Sequence, residues 1–141
     1  MSTARTAYVY VKNNTGGHAD IFLSHRYGDH SPQQIAWKNV PPANTTPTAL
    51  KCDYETGVGT SWDYWWIGVN VHDGPNAGCY ASGRPEGDGW WDLPNKECYL
   101  ESKDETSLHY AVSTSTFSIN ENSSPCSASM VAVSLCQSPF D

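Results

Sequence analysis

Short stretches in which apolar and polar residues alternate follow one another along most of the chain. In "DYWWIGVNV", Trp65, Ile67, Val69 and Val71 fall on one face of a strand, and Trp66 falls on the other. Turn-forming clusters such as "NNTGG", "GDHSP" and "PPANTTPT" separate the stretches, and helical periodicity is almost absent. The other candidate strands are "AYVYVKN", "ADIFLSHRY", "QQIAWKNV", "TALKCDYET", "CYASGRP", "ECYLESKD", "SLHYAVSTSTFSIN" and "MVAVSLC".

This pattern predicts an all-β fold, a single antiparallel β-sandwich of about eight or nine short strands. We expect one domain over residues 1–141, because no linker-like segment divides the chain. No repeat of fixed period is present, which disfavours a propeller or a trefoil. Trp65, in phase with three aliphatic residues, is the best candidate for a core tryptophan.

The charge balance limits the possible partners. The chain has 15 acidic and 8 basic residues and a net charge of -7, which argues against nucleic-acid binding and against docking on anionic membranes by charge. A sugar or a neutral lipid remains compatible. No apolar run approaches the ~20 residues of a membrane span. No apolar signal segment precedes the first strand, so we expect a cytoplasmic protein.

The five cysteines are odd in number and widely spaced, and none forms a C-x-x-C pair. This disfavours a zinc site, and we expect no metal and no other cofactor. Without a signal segment, free thiols are favoured over a disulfide framework.

Titratable residues are densest in "DIFLSHRYGDH", which contains Ser24, His25 and Asp29. Adjacency in sequence is poor evidence for a catalytic triad, and no nucleophile elbow is present. His72 and Asp73 could form an acid–base pair, but Asp and Gly-Pro there are typical of a turn. We therefore expect no catalytic residues and no enzymatic activity.

Six tryptophans exceed what the core of a sandwich this small can hold, so some should be exposed. Trp90 and Trp91 lie in a loop-like segment, "EGDGWWDLPNK", where an indole could pack on the CH face of a pyranose. The predicted sugar site comprises Trp90, Trp91 and Asp92, with Asp88, Asn95, Asp73 and Asn76 as hydroxyl partners. Two alternatives remain open: the two indoles fold back to plug one end of the sandwich, or Asp73 and Asn76 only stabilise a turn.

Three segments resemble a family of small proteins named for members up-regulated in long-lived insulin-receptor-mutant nematodes. They are "HADIFLSHRYGDHSPQQIAWKNVPP", "TGVGTSWDYWWIGVNVHDGPNAGCY" and "KECYLESKDETSLHYAVSTSTFSINENSSPCSASM". The resemblance implies a single β-sandwich similar to the aegerolysin and actinoporin-like folds, with no cofactor and no established enzymatic activity. It assigns no residue role.

The favoured hypothesis is a non-enzymatic, lectin-like protein of fungal type that binds a glycan. A homo-oligomer, most simply a dimer, would add avidity to weak single sites. The first alternative is a membrane module of aegerolysin type that binds lipid. The second is a structural β-sandwich whose tryptophans bury a subunit interface.

Overall fold

A computed structural model describes residues 2–82 and 96–133, which form eleven strands and one 3₁₀ turn, Ser102–Asp104. The strands are β1 Ser2–Asn13, β2 Ala19–Tyr27, β3 Gln33–Val40, β4 Leu50–Gly57, β5 Asp63–Val71, β6 Gly78–Ala81, β7 Lys96–Cys98, β8 Ser107–Val112, β9 Thr116–Asn120, β10 Pro125–Ser129 and β11 Val131–Val133. No helix among the described residues is long and apolar enough to cross a membrane.

The strands form two packed sheets, which confirms the predicted all-β sandwich. The five-stranded sheet has the order β10-β9-β8-β1-β4, and the six-stranded sheet has the order β11-β6-β5-β2-β3, with β7 pairing to the first part of β5. One pair departs from the antiparallel expectation, because β1 runs parallel to β8. An alternating pattern identifies a strand but does not reveal the direction of its neighbour.

Two differences raise the strand count above the predicted eight or nine. The stretch "SLHYAVSTSTFSIN" divides into β8 and β9, which pair as a hairpin. The segment that includes "PCSAS" was expected to be a loop, but it forms the edge strand β10. A polar edge strand that starts with proline carries little of the apolar alternation that marks a central strand.

The main core lies between the sheets, and β5 supplies its centre. Trp65, Ile67 and Val69 are fully buried there, as the alternation predicts. Trp66 points to the opposite face, as predicted, and is buried in a second cluster with Phe22. Both neighbouring tryptophans of this strand are therefore structural.

The expectation of free thiols is wrong for three cysteines. Cys98 of β7 and Cys126 of β10 form a disulfide with a Cα–Cα distance of 6.5 Å, and Cys79 is disulfide-bonded as well. Cys52 is free and buried, and its burial raises the pKa of the thiol. Cys98 and Cys126 are 28 residues apart in sequence, and the packing of one sheet against the other brings them together.

Candidate functional site

An exposed pair of aromatic rings marks one end of the sandwich. β5 and β7 pair antiparallel with Asp63 opposite Cys98, so Trp62 and Tyr99 are the next residues that face each other. Their ring centroids are 4.1 Å apart at an interplanar angle of 34°. The side chains are 42% and 41% exposed. We call Trp62 and Tyr99 the aromatic pair.

The backbone on both sides of Tyr99 is held in place. Cys98 before it forms the disulfide, and the amide of Leu100 after it donates a hydrogen bond of 2.9 Å to Oδ2 of Asp63. Asp63 itself follows Trp62 directly, so one buried carboxylate holds the backbone next to both rings in place. A surface held in this way loses little conformational entropy when a ligand packs on it.

Three open cavities of 540, 380 and 760 Å³ adjoin one another at this end of the molecule. Glu55 lines all three, Arg5 lines the first and third, and Tyr99 stands at the rim of the largest. We call the three cavities together the Glu55 cleft. Thr60 and Glu101 add further polar groups to the wall of the largest cavity.

Contacts within the cleft orient the side chain of Arg5 and leave the carboxylate of Glu55 available to a ligand. Arg5 forms an ion pair of 3.0 Å with Glu105, and its Nε donates to the hydroxyl of Thr56 at 2.6 Å. The other oxygen of Glu105 accepts from the backbone amide of Thr6. Within the two described ranges, no hydrogen bond or ion pair engages the carboxylate of Glu55.

A fully buried His–Asp pair lies beneath the aromatic pair. Nε2 of His25 is 2.7 Å from Oδ1 of Asp63, and neither side chain is exposed. Nδ1 of His25 is 2.9 Å from Oε1 of Gln33. That oxygen also accepts the amide hydrogen of Asp53, so Nδ1 must carry a proton.

Ser24 and His25 are adjacent in the sequence but do not come together in this geometry. Adjacent residues of a strand point to opposite faces, and His25 points into the core. There its two ring nitrogens are occupied by Asp63 and Gln33. Its role is to join β2, β3 and β5 through buried hydrogen bonds.

Two more buried acids lie at this end. Asp104 is fully buried and accepts the backbone amides of Glu101, Asn122 and Ser123, which ties the 3₁₀ turn to the segment after β9. Glu121 is buried with neither carboxyl oxygen hydrogen-bonded among the described residues. Burial first, then the charges of Asp104 and Asp63, raise the pKa of Glu121 to about 9.

The structure places Asp73 and Asn76 at the opposite end of β5, in the turn that follows Val71. At ~3.3 Å per residue, that end is roughly 26 Å from Asp63. Asp73 accepts the amide of His18 at 2.8 Å and contacts its Nδ1 at 2.9 Å, which lowers the pKa of Asp73. Asn76 donates to the carbonyl of Thr15. These bonds fit the turn-stabilising alternative, and neither residue lies at the Glu55 cleft.

The remaining residues of the predicted sugar site fall outside the described residues. They are Trp90, Trp91, Asp92, Asp88 and Asn95. Their assignment stays a prediction.

Sequence reasoning missed the aromatic pair, although one signal was available. Trp62 directly follows "GVGTS", which has turn composition, and it lies out of phase with the buried Trp65. Tyr99 carried no comparable signal, because its position opposite Trp62 depends on the register of β7 with β5.

The fold and this end of the molecule define a small two-sheet β-sandwich with an open polar cleft beside exposed aromatic rings. Residues 3–137 match the family described as "Up-Regulated in long-lived daf-2", and the chain belongs to that family. The sequence resemblance is thereby confirmed. A search of curated proteins finds no match.

Proposed function

We propose that the protein binds carbohydrate in the Glu55 cleft, with the aromatic pair as the platform for a sugar ring. The observation that carries this proposal is the exposed contact of Trp62 with Tyr99, because Tyr99 also lines the largest cavity of the polar cleft. Large aromatic side chains are mostly buried, so two rings that contact each other at a tilt and remain open to solvent indicate a contact surface.

The chemistry of the cleft matches that of a pyranose. A sugar ring has an apolar CH face, which packs on an aromatic ring, and a rim of hydroxyl groups, which need both donors and acceptors. Arg5 and Thr60 can donate to hydroxyl oxygens, and Glu55 can accept from hydroxyl hydrogens. The aromatic pair, fixed by strand register, is a second candidate platform beside the predicted loop tryptophans, and the ligand class is the same.

Lipid binding is the second candidate, because exposed Trp and Tyr also suit the interface of a membrane. The carboxylates around the aromatic pair, Glu55 and Glu101, argue against it, since they would meet the phosphates of lipid headgroups. The sugar is therefore the better match for this cleft.

Three further assignments complete the proposal. The protein acts as a binding module without catalysis. A homodimer would add avidity, because an open site of this kind holds one sugar weakly. The disulfide cysteines favour an oxidising compartment over the cytoplasm predicted from the N-terminus.

Trp62→Ala should weaken sugar binding about tenfold, because it removes half of the platform. A glycan array would identify the sugar, and isothermal titration would then compare the wild type with the variant. Tyr8→Ala is the matched control, because Tyr8 is 45% exposed but neither lines the cleft nor belongs to the aromatic pair. Unchanged affinity in Trp62→Ala, or an equal loss in Tyr8→Ala, would contradict the proposal. Flotation with neutral liposomes that depends on Trp62 would favour the lipid alternative.

A further inference from the structure

The Glu55 cleft carries an excess of negative charge that its own contacts do not neutralise. Arg5 is the one Lys or Arg among the described residues that line the three cavities, and Glu105 pairs with it. Asp29, Asp53, Glu55 and Glu101 remain on the walls. Asp53 is further occupied, because its carboxylate accepts from Thr6 and Gln33.

Glu55 is the carboxylate best placed to meet a ligand. It lines all three cavities, it is only partly exposed, and it has no partner within the described ranges. A partly desolvated carboxylate in a concave wall interacts more strongly with a cation than one on an open surface. The net charge of the whole chain, -7, also attracts cations, and it does so at longer range than Glu55 alone.

We infer that the ligand of this cleft is an amino sugar, whose ammonium group pairs with Glu55 while its ring packs on the aromatic pair. This inference rests on the proposed carbohydrate-binding function and names the class of sugar. A neutral sugar would leave the Glu55 carboxylate without an ionic partner. An acidic sugar would place like charges together, which costs binding energy.

The test compares three oligosaccharides of similar length by isothermal titration at low salt. They are a trimer of glucosamine, a trimer of N-acetylglucosamine and a trimer of galacturonic acid. The glucosamine trimer should bind about fivefold more tightly than the acetylated trimer, which is the size of effect expected for one accessible ion pair. Raising the salt concentration should shrink that difference.

Glu55→Gln should bring the glucosamine and N-acetylglucosamine trimers to equal affinity, whereas Asp73→Asn, a control at the opposite end of β5, should leave the difference intact. Equal binding of the two trimers by the wild type would overturn the inference while leaving the proposed function standing. Tighter binding of the galacturonic acid trimer would also overturn it. Trilysine that binds as tightly as the glucosamine trimer would overturn the requirement for a sugar ring, and absence of binding to any trimer would count against both proposals.

Discussion

Replacing Asp63 with alanine is expected to lower the free energy of unfolding by about 3–5 kcal/mol. The carboxylate of Asp63 is fully buried, and it bonds both Nε2 of His25 and the amide of Leu100. Its removal leaves Nε2 of the buried His25 imidazole and the buried amide of Leu100 without partners, and both must be desolvated without compensation. Urea unfolding followed by tryptophan fluorescence measures this change.

Two further variants separate the loss of the pair from a general effect of mutation. Asp29→Ala removes an exposed acid and should change stability by less than about 0.5 kcal/mol. The double variant His25→Phe, Asp63→Leu removes both polar partners and should be more stable than Asp63→Ala alone, because no charged group is left unpaired. If Asp63→Ala lowers the free energy of unfolding no more than Asp29→Ala does, the His25–Asp63 pair does not stabilise this end of the sandwich.

Glu121→Gln should stabilise the protein, and the gain should grow as the pH rises. The carboxyl group has an ordinary pKa of 4.5 and a pKa of about 9 in the folded protein. Between these values the unfolded chain releases a proton that the folded chain retains, so a rise in pH favours unfolding by up to ~1.4 kcal/mol for each pH unit. Glutamine resembles the neutral acid in size and does not titrate, so the variant avoids this cost.

Because Glu121 keeps slight contact with solvent, we expect a gain of about 3 kcal/mol at pH 8, less than the full linkage value. Near pH 4 the carboxyl group of Glu121 is largely neutral in both the folded and the unfolded chain, so the gain in stability should vanish. Thermal unfolding across this pH range measures both values, with Glu97→Gln as the exposed control. A gain that is independent of pH would contradict the protonated state of Glu121.

The alternation of side chains was enough to predict the sandwich and the faces of its central strand. Trp65 and Trp66 point as "DYWWIGVNV" predicts, because a strand places neighbours on opposite sides whatever its partners are. Edge strand β10 lacked such a pattern, since its polar residues bury little surface. Turn composition is also local, and it explains why the sequence placed Asp73 and Asn76 in a turn.

The candidate site depends on contacts that no local pattern encodes. Trp62 faces Tyr99 because β7 pairs with the first residues of β5, and Arg5 and Glu55 line the same cavities because β1 pairs with β4. The buried acids share this property. Asp104 and Glu121 are charged residues in polar surroundings of the sequence, and Asp63 begins "DYWWIGVNV" in phase with Trp65, but exposure is the ordinary expectation for a carboxylate. Their burial follows from the packing of segments far apart in the chain.

The central claim is that the aromatic pair contacts the sugar, and nuclear magnetic resonance of the indole N–H groups tests it most directly. Each of the six tryptophans contributes one such signal. On titration with the glucosamine trimer, the signal of Trp62 should shift, while those of the buried Trp37 and Trp65 should stay in place. Shifts confined to Trp90 and Trp91, with Trp62 unchanged, would contradict the account and return the site to the loop that the sequence first indicated.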